Sequence, residues 1–318
     1  MPSIEQSAAT VACSFGLSLA AIPVFRRVAG RRRWLDGAGG DPLKIHAHAV
    51  PFIGGLGMVV GYLAAVLFLS QSFPGVAPRF VLIASLSCVV SALGFCDDRF
   101  NVRPLTRLAV EVLVGVAFAV GLCLIPPFGG GWVAGKGPVG LALFVPFVVL
   151  LVAGAINAVN MQDGLDGLAG GVALISCAGL AAAGVVLSQE VAAGLAFALG
   201  GALSAFLVYN FHPASVFMGD NGSYLVGFVV AAASLNLIVA KPTLAGVGGG
   251  VLLIGLPVFD ALFAVIRRVG KGRSPFAGDR SHFYDLLAQR GFTVRQVAFI
   301  NYSLQLLIVG AGLALLLK

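Results

Sequence analysis

Charge is what this sequence has least of. Asp, Glu, Lys and Arg make up 10% of 318 residues, against 59% hydrophobic, and the mean hydropathy is +1.00. That balance excludes an ordinary soluble globule, which needs a polar exterior. Thiol chemistry is missing too: Cys13, Cys88, Cys96, Cys123 and Cys177 lie in or beside apolar stretches with no CxxC or Cys/His spacing, as small buried hydrophobes do. No HExxH, internal repeat, low-complexity tract or separate soluble segment occurs, so residues 1–318 read as a single domain. A net charge of +7 would suggest nucleic acid in a soluble protein; in a membrane chain it reports orientation, and no nucleic-acid partner is expected.

What is present is a succession of apolar runs, each about 20 residues long and able to cross roughly 30 Å of hydrocarbon. The pattern predicts an all-α polytopic membrane protein with about ten transmembrane helices, over 7–25, 50–70, 80–96, 107–125, 139–157, 170–187, 191–209, 222–240, 244–266 and 296–317. Only Ser188, Gln189 and Glu190 divide the sixth from the seventh, where a tight hairpin is expected. The first run precedes the basic cluster Arg26 to Arg33, the reverse of a cleavable signal, and is read as a retained span. Sixteen of the 20 Lys and Arg fall in the loops after spans one, three and nine; Arg79, Lys136, Lys241 and Lys318 lie opposite. The positive-inside rule then places both termini in the periplasm and the long loops in the cytoplasm. Every aspartate except Asp260, which lies inside span nine, falls at the cytoplasmic ends, so the chemistry is expected on that face.

Five segments carry that chemistry. Asp97-Asp98 opens the loop after span three; adjacent carboxylates raise one another's pKa unless a cation compensates, so the pair reads as a metal or proton-transfer site, or as a solvated cluster with Arg99 and Arg103. Asn157, Asn160, Asp163 and Asp166 recur every third residue at the end of span five, a slowly drifting polar stripe too costly in hydrocarbon to be idle. Between spans seven and eight, Gly219-Asp220-Asn221-Gly222-Ser223 would let backbone amides and a carboxylate approach a metal-bound phosphate, although an Asx-type turn also explains its glycines. The loop from Arg267 to Asp285 offers Arg267, Arg268, Lys271, Arg273, Arg280 and His282, and the first loop adds Lys44, His46 and Gly54-Gly55, all suited to a pyrophosphate or to anionic lipid headgroups. Oxygen ligands outnumber soft ones, which favours Mg²⁺ or Mn²⁺ over zinc. Acids, bases and a metal at a lipid-accessible face point to phosphoryl transfer between an anionic soluble donor and an anionic lipid, where charge neutralisation is the main task.

In these residues the chain resembles the polyprenyl-phosphate N-acetylhexosamine-1-phosphate transferase family. The marks are KxH…PxxGG at Lys44 to Gly55, Asp97-Asp98, NxxNxxDGLDGLA at Asn157 to Ala169, PAxVFMGDxGS at Pro213 to Ser223, Asp260 with Arg267, and DRxH at Asp279 to His282. The resemblance implies that Asp220 and Asp163 are metal ligands for Mg²⁺ and that Asp97 either is the base deprotonating the carrier phosphate or attacks directly, with Asp98 supporting it. It implies that Asn157, Asn160 and Asp166 hold the nucleotide region, while Lys44, His46, Arg267, Arg280 and His282 form the pyrophosphate and sugar side. Family members often carry a second histidine after the equivalent of His282, where this chain has Phe283-Tyr284.

The expected reaction is transfer of GlcNAc-1-phosphate, or a related 6-deoxy-HexNAc-1-phosphate, from a UDP-sugar to undecaprenyl phosphate, releasing UMP and initiating a surface polysaccharide in the bacterial inner membrane, with a homodimer as a further implication. The branch that begins muramyl-pentapeptide lipid synthesis is the alternative; a cation-coupled transporter is the rival from another class, and it is disfavoured because only Glu111 and Asp260 lie inside spans.

Overall fold

The computed structural model describes residues 3–37, 49–125, 137–272 and 282–318. Its elements are α1 (Ile4–Arg32), a two-stranded antiparallel ribbon of β1 (Leu35–Asp36) and β2 (Val50–Pro51), α2 (Gly54–Ser72), α3 (Ala77–Phe100), α4 (Pro104–Leu124), α5 (Gly137–Gln162), α6 (Leu168–Val186), α7 (Glu190–Asn210), α8 (Gly219–Ala240), α9 (Leu244–Leu252), α10 (Gly255–Gly270), α11 (Phe283–Gln289) and α12 (Val294–Leu316). Among the described residues, nine helices are individually long and apolar enough to span a bilayer, and α9 with α10 makes a tenth, bent candidate. The protein is thus an all-α polytopic membrane protein, as its composition requires.

Local signals set the helix ends. Capping boxes start α1 (Ser3 with Gln6) and α12 (Thr293 with Gln296). Pro104 occupies the first turn of α4, where a missing N–H costs nothing, and Asn101 ends α3 in the left-handed region at φ 50°. The expected hairpin between α6 and α7 is present: Ser188 takes φ 57° and the Gln189 N–H reaches the Gly184 carbonyl at 2.7 Å.

The ninth span departs from expectation. Instead of one helix over 244–266, α9 and α10 meet at Leu253-Ile254 with an 85° bend. Pro257 disfavours helical geometry at the residue before it and supplies no N–H, so the ladder is weak here. Gln305 of α12, fully buried, takes up the freed groups: its Oε1 accepts from the Leu256 N–H at 3.0 Å, and its Nε2 donates to the Leu253 carbonyl at 3.2 Å and to Ser176 Oγ at 2.9 Å. A break inside a membrane is tolerated where neighbouring side chains satisfy the backbone in this way.

α8 is the axis of the bundle, buried without interruption from Asn221 to Ile238 and packed against α2, α3, α5, α6, α7 and α9. Small residues permit this crowding: a Cβ on Gly55 would lie 2.3 Å from the Gly222 amide nitrogen. The C-terminal ends of α3, α5 and α7 therefore meet the N-terminal ends of α4, α6 and α8 at one end of the bundle, as the hydrogen bonds joining them record.

Candidate active site

At that end lies a cleft of about 520 Å³. Its polar wall carries Asp36, Asp98, Asp163, Asp166, Asp220, Asn210 and His212; Leu35, Phe52, Phe217 and Val294 form the apolar part. Five carboxylates therefore gather at one end of the bundle.

The vicinal pair at the end of α3 splits into two environments. Asp98 faces the cleft and caps α8: its Oδ1 accepts from the Asp220 N–H at 2.9 Å and its Oδ2 from the Asn221 N–H at 3.1 Å. A carboxylate at a helix N-terminus satisfies orphan donors and the helix dipole together. Gly94, one turn earlier, makes the approach possible, because a Cβ there would stand 2.3 Å from the Asp220 carbonyl oxygen. Asp97 turns behind, its side chain 2% exposed, with Oδ1 accepting from the Val102 N–H at 2.9 Å and Oδ2 paired with Arg107 and accepting from Tyr224 Oη at 3.0 Å. One residue of register, about 100° on a helix, decides which carboxylate reaches the cleft.

Asp220 Oδ1 accepts from Asn160 Nδ2 at 2.6 Å, and the same amide donates to Ser223 Oγ at 3.1 Å, tying the end of α5 to the first turn of α8. Asp163 follows in the turn after α5, where withdrawal from water, then Asp220, then Asp166 push its carboxyl up to about 7. Asp166 is held through Oδ2 by His212 Nδ1 at 2.8 Å and the Ala214 N–H at 3.0 Å. Asn210 locks the wall, accepting from the Gly167 N–H at 2.9 Å and donating to the Val216 carbonyl at 2.9 Å.

Of the residues singled out in the sequence, the structure brings Asp98, Asp163, Asp166 and Asp220 to one cleft, with Asn160 bonded to Asp220 and Asp97 directly behind. Asn157, Arg267 and His282 stand elsewhere. Asn157 is exposed on α5, bonded to Glu111 and to the Ala153 carbonyl of its own turn; the three-residue spacing drifts about 60° per step, so it leaves the face that Asp163 occupies. Arg267 lies on α10 over the Phe263 ring, 5.5 Å from its centroid. His282 is buried between Asp260 and Arg268. Lys44, His46 and Arg280 lie outside the described residues. His212, Asn210 and Phe217 line the cleft without having been singled out, although all three stand in the segment around Asp220; nothing in spacing alone tells which loop side chains face inward.

Among the described residues, no three His, Cys, Asp or Glu side chains converge as a self-sufficient metal site. Asp163 and Asp220 nevertheless make a crowded, all-oxygen pair, and Mg²⁺ commonly takes only one or two carboxylates, with phosphate oxygens and water completing its octahedron. An all-oxygen pair of this kind fits a hard divalent cation completed by other oxygen ligands.

Comparison with known proteins places the chain. The profile of glycosyl transferase family 4 matches residues 80–238. The decaprenyl-phosphate N-acetylglucosaminephosphotransferase of Mycobacterium leprae (strain TN) is 33% identical over 290 residues, covering 81% of this chain and 71% of that protein. The undecaprenyl-phosphate alpha-N-acetylglucosaminyl 1-phosphate transferase of Yersinia pestis is 33% identical over 308 residues, covering 91% and 79%. A probable undecaprenyl-phosphate N-acetylglucosaminyl 1-phosphate transferase of Bacillus subtilis (strain 168) is 28% identical over 310 residues, covering 94% and 83%. With acids from separate helices meeting at one end of an apolar bundle, and relatives aligned over most of its length, the chain belongs to glycosyl transferase family 4.

Proposed function

We propose that this enzyme transfers N-acetylhexosamine-1-phosphate, GlcNAc or a related 6-deoxy sugar, from a UDP-sugar to undecaprenyl phosphate and releases UMP. The single observation carrying this reading is the gathering of Asp98, Asp163, Asp166 and Asp220, from the ends of separate spans, around one cleft. The printed activities of the relatives supply the reaction class. In the proposed reading an oxygen of the lipid phosphate attacks the sugar-proximal phosphorus of the donor, the bond to the UMP oxygen breaks, and UMP leaves with that electron pair. Asp163 and Asp220 would hold Mg²⁺, which supplies neutralisation of the two anions. Asp98 holds the first turn of α8 and hence Asp220, while the proposed proton acceptor, Asp97, is tied to Arg107 and Tyr224 directly behind the cleft. Asp166 and Asn210 offer polar edges, and Phe217 a ring face, to the nucleotide.

The distribution of Lys and Arg supports placing the cleft on the cytoplasmic side of a bacterial inner membrane, with both termini opposite. The test is an assay of the purified protein in detergent with undecaprenyl phosphate and a panel of UDP-HexNAc donors, following exchange of labelled UMP into the donor. Asp220→Asn and Asp163→Asn are each expected to abolish exchange while the protein still folds. Full exchange in either variant would refute the assignment.

A further inference from the structure

A second buried polar cluster lies outside the cleft, on the bent half-helix α10. One face of α10 is apolar and exposed (Phe259, Leu262, Phe263, Ile266, Val269), whereas Asp260, Ala264 and Arg268, four residues apart, form the buried row. Asp260 Oδ1 accepts from the Phe283 N–H at 2.6 Å, at the start of α11, and its Oδ2 pairs with His282 Nδ1 at 3.2 Å. The other ring nitrogen, Nε2, faces Arg268 Nη2 at 3.2 Å. A guanidinium has donors only, so Nε2 must accept, which fixes the proton on Nδ1 and makes that nitrogen the donor to Asp260. His282 thereby bridges a carboxylate and a guanidinium, with both nitrogens committed.

The cluster continues toward the cleft. The His282 ring stacks on Tyr284, centroids 5.4 Å apart and planes 11° apart. Tyr284 Oη donates to the Met161 carbonyl at 3.1 Å, and a Cβ on Gly164 would stand 2.3 Å from that same oxygen. Met161 and Gly164 bracket Asp163, so the tyrosine lies against the back of the turn that presents Asp163 to the cleft.

We propose that Asp260, Arg268, His282 and Tyr284 form a positioning relay through which α10 sets the placement of Asp163. None of the four lines the cleft. Their part is to hold the Met161–Asp166 turn rigid from behind, so that the acidic edge of the cleft is fixed by the half-helix rather than by the turn's own few hydrogen bonds. The mechanical half of this inference stands alone; its functional half rests on the proposed cation role of Asp163.

The test begins with hydrogen exchange on the full-length protein in detergent, which needs no ligand. Tyr284→Phe keeps the ring on His282 and deletes the hydroxyl, and Asp260→Asn disturbs the far end of the relay. Each is expected to speed exchange in 161–166 by about fivefold or more, the loss of one net hydrogen bond, while α8 amides stay as protected as in the wild type. Unchanged exchange in 161–166, or acceleration spread over the whole bundle, would overturn the relay. Binding of UMP is then titrated with Mg²⁺. Tyr284→Phe should raise the Mg²⁺ needed for half-maximal binding by about fivefold, and should add nothing in an Asp163→Asn background. Additive effects would overturn the link to Asp163. A wild type that binds no UMP, or binds it regardless of Mg²⁺, would instead sink the proposed function and leave the exchange result to decide the relay.

Discussion

Asp98→Asn separates a capping carboxylate from a purely chemical one. The wild-type side chain spends one oxygen on each of two backbone donors, Asp220 N–H at 2.9 Å and Asn221 N–H at 3.1 Å. An asparagine keeps one acceptor and turns an NH₂ toward the other donor, so one charge-assisted hydrogen bond, worth about 1.5–3 kcal/mol, is lost. The cleft admits water to the orphaned amide, which reduces the net cost to about 1–2 kcal/mol, the range of lost helix caps. Removal of one member of a carboxylate crowd acts in the opposite direction by relieving repulsion. The cap is expected to win, because it satisfies two backbone donors at ordinary hydrogen-bond lengths and α8 is the axis on which six other helices pack. Thermal unfolding in detergent should therefore fall by a few degrees. Exchange of labelled UMP should drop by about tenfold, since the N–H that moves belongs to Asp220 itself and about 1.4 kcal/mol of misplacement is tenfold in rate. A variant at least as stable as the wild type would refute the capping argument, even if it were inactive.

Other outcomes follow from the packing. Gln305→Leu keeps the volume but strands the Leu256 N–H and the Leu253 carbonyl at the bend, and should cost about 1–3 kcal/mol in reversible unfolding, at the low end if the unfolded chain finds partners within the micelle; no loss would mean that the break satisfies itself. Gly55→Val sets a branched side chain against the Gly222 backbone, only 2.3 Å from an added Cβ, and should abolish stable expression rather than lower activity alone. Tyr224→Phe removes a hydroxyl from Asp97 and leaves Arg107 in place, so exchange should fall by about threefold to tenfold, with stability lower by about 1–2 kcal/mol; a full loss of exchange would assign the phenol a larger part.

The sequence by itself determined the solvent of this protein and the number of its spans. Hydrophobic length against bilayer thickness is a one-dimensional criterion, so runs such as 191–209 and 222–240 were legible without tertiary information, and so was the hairpin at Ser188. The motif segments were legible as segments, because Gly, Asp and Asn at span ends cost too much in hydrocarbon to be filler. Which side chains face one another was a different matter. Asp97 and Asp98 are chemically equal neighbours, and only helix phase sends one to the cleft and the other to Arg107 and Tyr224. Asn157 and Asn160 carry the same amide, yet rotational drift leaves the first on the outside. The bend at Leu253 required Gln305, about 50 residues further along, to receive the broken backbone. His282 looked like a free basic group until Asp260 and Arg268 closed on its two nitrogens. Partition into a membrane sums over a stretch of chain, whereas a hydrogen bond needs two atoms within about 3 Å, and only the packed bundle brings residues so far apart in sequence to that distance.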